Sequence, residues 1–150
     1  MKEIIEKLNK IKDQILLEKM EGKLRLFVLI KRTDQEDKWD LILSADWFKK
    51  TNNQEDLVYF IEKIKSEFTN LDFLARILLA TPNELFIKSL AKAILSTNSE
   101  EIENITNLKV PEVEIIVKHI NIIYINFSGI DLKERGIPEG PLVAKNNSDF

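Results

Sequence analysis

Five residues of this 150-residue chain carry side chains suited to chemistry, provided the fold gathers them: Ser44, Asp46, Trp47, Asn83 and His119. A hydroxyl, a carboxylate and the chain's one imidazole are the parts of a nucleophilic triad, and Ser44, His119 and Asp46 can be drawn as one. The drawing fails on local grounds. Ser44 and Asp46 stand two apart on one strand-like segment, and the glycines of a nucleophile elbow are missing there. No catalytic residue is therefore assigned. The five are read as candidate contacts for a ligand or a partner. Each has a plainer role as well. Asp46 suits a turn into Trp47 and Phe48, Trp47 suits edge packing, and His119 suits a solvated strand end.

Other chemistry is excluded by what the sequence lacks. There is no G-x-G-x-x-G, no G-x-x-x-x-G-K-[ST], no G-x-S-x-G and no H-E-x-x-H. One histidine and no cysteine rule out a multi-histidine or thiolate metal site within one chain, and no D-x-D loop suggests an oxygen-ligated cation. No metal and no cofactor is expected. The formal net charge of −3 comes without a concentrated basic cluster, so nucleic acid and anionic membranes are not expected partners. No apolar run reaches the roughly 18–20 residues of a membrane helix. The opening MKEIIEKLNKIKDQ alternates charge with apolar residues, unlike a signal peptide. A cytoplasmic protein is expected, in keeping with the absence of cysteine.

The elements that would position these residues are legible from periodicity. Ile4, Leu8, Ile11 and Ile15 make one apolar stripe on a helix within residues 1–20, ended by Gly22. The stripe also has the spacing of a short coiled-coil seam, so a homodimer through this helix is an expectation. KLRLFVLIKR, 23–32, is apolar on both faces and predicts an interior strand. After the polar TDQED, KWDLILSA predicts a second strand and an antiparallel hairpin, with Trp39 in phase with Leu41 and Leu43.

Leu57, Phe60, Ile61, Ile64 and Phe68 repeat at helical spacing over 53–68, and FLARILLA, 73–80, reads as the next strand. Arg76 inside that strand calls for a carboxylate, and Asp40 is the candidate if the two strands are neighbours. TPNE, 81–84, predicts a helix start, with Thr81 as cap, Pro82 in the first turn and Glu84 completing a capping box. Phe86, Ile87, Leu90, Ala91 and Ile94 form that helix's inner face. SEEIENITNL, 99–108, is read as a short further helix. VEIIVKHINIIYINF, 113–127, is one long strand or two joined near His119–Asn121, followed by a turn at Ser128–Gly129. Residues from about 140 to 150 read as a loose tail.

The segments KWDLILSADWF and RILLATPNELFIKSLAKAI resemble a group of small prokaryotic single-domain proteins of unassigned function that share a W-D-L-x-x-S-A-x-W strand motif. The resemblance follows the order of elements over residues 1–127. It implies an α/β single domain and attaches no activity.

The fold expected is α+β: a single domain with a mixed sheet of four or five strands, an antiparallel N-terminal hairpin and then β-α-β-α-β, covered by helices. The alternative is an α/β three-layer arrangement. If the later strands run parallel, their carboxyl ends place Ser44–Trp47, Thr81–Asn83 and Lys118–His119 on one sheet edge, where open sheets bind ligands. The function expected is a protein-binding or self-associating module, through its own copy or an unknown protein. The alternative is a small enzyme or ligand sensor using that strand-end pocket.

Overall fold

The computed structural model describes residues 1–19, 23–33, 37–49, 53–97, 104–110, 113, 115–130 and 132. Its elements run α1 (Lys2–Glu18), β1 (Leu24–Arg32), β2 (Trp39–Ala45), α2 (Gln54–Glu67), β3 (Leu74–Ala80), α3 (Leu85–Leu95), β4 (Asn104–Val110) and β5 (Ile115–Ile125). The strands form one mixed sheet in the order β3-β2-β1-β5-β4. β1 pairs antiparallel with both β2 and β5, β2 pairs parallel with β3, and β4 pairs antiparallel with β5. The class is α+β, one domain with the N-terminal hairpin the sequence predicts.

The double-faced apolar pattern of β1 has its reason in this order. β1 is the central strand, and Leu26 through Ile30 are all buried. Phe27 and Leu29 pack with α1 and α2 on one face, while Leu26, Val28 and Ile30 pack with α3 on the other. The stripe of α1 turns inward: Leu8, Ile11 and Ile15 are fully buried in the first of these clusters, with Ile4 beside them. Its seam-like spacing is thus used on the chain's own sheet. A cross-link closes the α1–α2 pair. Tyr59 donates its phenol proton to Glu18 Oε1 at 2.6 Å, and Lys63 pairs with the other carboxylate oxygen. Burial and Glu18 push the Tyr59 phenol up, and the two bonds hold the Glu18 carboxyl down.

Two expectations are corrected. Residues 104–108 are strand, part of β4, where the sequence suggested a helix; residues 99–103 lie outside the described residues. Ile105 and Leu108 are both buried although three apart, because Asn107 between them takes a left-handed φ of 53° and breaks the alternation. A spacing of three then imitates a helix. The second correction concerns TPNE. α3 begins at Leu85 with Glu84 at its N-cap and no side-chain cap bond, so Thr81 is not the cap. Residues 81–84 form a turn instead. Glu84 N–H donates to Thr81 O at 3.2 Å, and the Glu84 carboxylate accepts from Thr81 N–H at 2.8 Å. The turn at Ser128–Gly129 is as expected, with Gly129 at φ 78°, a conformation that favours glycine. The loose tail expected at 140–150, and the Gly22 stop, lie outside the described residues.

Candidate functional site

β2, β3 and β5 point the same way, so their carboxyl ends do share one edge of the sheet. At that edge lies a concavity of about 1060 Å³. Its polar wall is Arg25, Asp46, Thr81, Asn83 and Glu84; its apolar wall includes Phe48, Leu85, Phe86 and Ile130. Leu85 is 47% exposed at the first turn of α3.

A clamp around Arg25 shapes the floor. The pairing of β1 with β2 shifts register between Leu24 and Leu26, and this bulge sets Arg25 between residues that face opposite sides. Arg25 is 5% exposed. It donates Nε and Nη2 to the two carboxylate oxygens of Asp46, both at 2.9 Å. Its Nη1 donates to the carbonyls of Ser128 at 2.8 Å and Asn126 at 3.2 Å. A planar fork met by a carboxylate on one side and two carbonyls on the other is fixed in place. The end of β2, the start of β1 and the turn after β5 are tied through one side chain.

The five sequence candidates divide. Asp46 and Asn83 border the concavity together. Ser44 is fully buried between Leu26 and Ala80 of the neighbouring strands, its hydroxyl without a partner among the described residues, and it does not reach the cavity wall. Trp47 packs against the α1–α2 cluster and meets Phe48 edge-on at 5.5 Å. Of these two rings, Phe48 borders the cavity.

His119 is displaced furthest. β5 continues unbroken to Ile125, so His119 falls mid-strand opposite Lys31. It packs edge-on to Trp39, 5.4 Å between ring centres, at the other end of β2 from Asp46. Ser44, Asp46 and His119 therefore form no triad. Burial, and then the Lys31 ammonium, push the His119 pKa below its usual 6.5. Its folded value is depressed, so its contribution to stability is whole above about pH 6.5 and is lost as pH falls through the folded value. Urea midpoints measured from neutral pH to about pH 5 should fall more for the native chain than for His119→Gln. Equal slopes would refute the assignment.

Arg25 is the residue that sequence reasoning passed over. The signal was present: a lone guanidinium in KLRLFVLI, an otherwise apolar interior strand. The same argument applied to Arg76 does hold. Arg76 stands opposite Asp40 on the β2–β3 ladder, with Nε 3.1 Å from Asp40 Oδ2.

No protein-family model, curated protein or solved structure matches this chain. Among the described residues, no helix is long and apolar enough to cross a membrane.

Proposed function

We propose that this protein is a binding domain for a small, uncharged organic molecule, held in the strand-end concavity and read out or carried rather than transformed. The observation that supports this most is the state of the charges around the cavity. Arg25 and Asp46 neutralise one another in a two-point pair, and Glu84 is engaged by the Thr81 N–H. Groups so held present fixed acceptors to hydroxyl or amide donors of a ligand. Phe48, Leu85 and Phe86 offer it an apolar surface. The cytoplasm remains the compartment proposed, on the cysteine-free composition.

Self-association is the second reading. It rests on Leu17, 76% exposed on α1 next to the buried stripe. Heteronuclear NMR with indole, benzamide and cyclohexanol at millimolar concentration tests the first reading. Saturable shifts confined to Phe48, Asn83, Leu85 and Phe86, abolished in Asn83→Trp, are expected. Shifts that spread over the surface without saturating would overturn it. Light scattering on the same samples reads the second, as a mass near that of one chain or of two.

A further inference from the structure

A second hollow, of about 640 Å³, opens on the α3 face away from the strand-end edge. Among the described residues, one helix packs on that face. Four inter-strand steps make the sheet about 19 Å wide, and one helix covers about 10–12 Å of it. Among the described residues α3 runs beside β4, at the opposite side of the sheet from β2 and β3. Its walls are Ile30, Ile42, Leu78, Phe86 and Val117, with Ile116 at the rim, 54% exposed.

Charged groups sit within this apolar lining. Asp40 is 1% exposed, and its Oδ2 forms ion pairs with Arg32, Nε at 2.7 Å, and Arg76, Nε at 3.1 Å. Asp40 thereby acts as a buried anchor that orients Arg76 through its inner nitrogen. The Arg76 side chain is 52% exposed, and Asp40 is its one ion-pair partner among the described residues. Its terminal nitrogens are left to meet something else. An arginine fork held at the edge of an apolar hollow matches a carboxylate on an apolar chain. Among the described residues, two arginines, Arg32 and Arg76, against one aspartate leave the hollow a single net positive charge, which matches a monocarboxylate and disfavours a dianion such as a phosphate monoester.

We propose that the hollow between β2, β3 and α3 binds an amphipathic monocarboxylate, with the carboxylate on Arg76 and the chain along Ile42, Leu78 and Phe86. This hollow meets the strand-end concavity at Phe86 and Val113, whereas Ile42 and Leu78 border this hollow and not that one, so their response reads this proposal apart from the reading of that cavity. The probes are decanoate, decanol and decylammonium, titrated into the full chain by calorimetry with NMR mapping. Decanoate should bind saturably, at least about tenfold more tightly than decanol, and shift Ile42 and Leu78. Decylammonium should not bind saturably. Arg76→Met should weaken decanoate about tenfold and leave decanol unchanged, with Arg76→Lys between them. Equal affinity for decanoate and decanol, saturable binding of decylammonium, or no saturable binding of decanoate would each overturn the proposal. The wild-type comparison of the three head groups decides even if Arg76→Met does not fold.

Discussion

Phe60→Ala should lower the unfolding free energy by about 3–5 kcal/mol, the range for removing a buried aromatic ring from a packed core. Phe60 is 1% exposed on α2 and meets Phe48 edge-on, 5.7 Å between centres at 90°. Phe48 in turn meets Trp47 edge-on. The ring is therefore both the main anchor of α2 and a support for the residue that borders the strand-end cavity. Urea melts followed by tryptophan fluorescence would measure the loss. A change below about 1 kcal/mol would mean that α2 is not docked through this ring. With Phe60 gone, Phe48 loses the neighbour that fixes its orientation, so fragment binding at the cavity should weaken along with stability.

Arg25→Met should cost about 3 kcal/mol, the low end for breaking a buried ion pair from one side. The low end applies because the Asp46 side chain is 38% exposed and can recover water. The two carbonyls, of Asn126 and Ser128, lose a charged donor as well. Arg25→Lys should recover less than half, since an ammonium cannot span both carboxylate oxygens and reach two carbonyls behind. A double-mutant cycle with Asp46→Asn should return a coupling of roughly 1–3 kcal/mol. Independent effects of the two changes would show the clamp to be geometry without energy.

Most of the sheet could be read from the chain because its strands obey simple rules. β1 is apolar on both faces because it is central, and Trp39, Leu41 and Leu43 alternate because β2 presents them to α1 and α2. The rules failed where one residue changes the local geometry. Asn107 takes a left-handed φ and gives β4 a helical spacing, and Glu84 bonds back to Thr81 in a turn that mimics half a capping box. The candidate site was legible in the same uneven way. Asp46 and Asn83 follow strands whose ends coincide, so order alone brings them together. The position of His119 depended on where β5 stops, and nothing local in KHINIIYIN marks an end before Ile125. Arg25 depended on a bulge, which periodicity does not reveal.

The central place of β1 also sets a schedule. Its neighbour on one side, β2, follows at once, but its neighbour on the other, β5, is the last strand among the described residues, with Leu26 aligned to Ile125. A polypeptide emerging from the ribosome could assemble α1 through β3 and still hold one flank of its central strand unpaired. Loop closure of that span must precede the stabilisation it brings, which makes the step slow relative to helix and hairpin formation. Through that interval the bare flank of β1 is open to edge-to-edge association with other nascent chains. The fate of this protein during synthesis thus turns on β5, and a chain cut short before it would expose the central strand of the finished sheet.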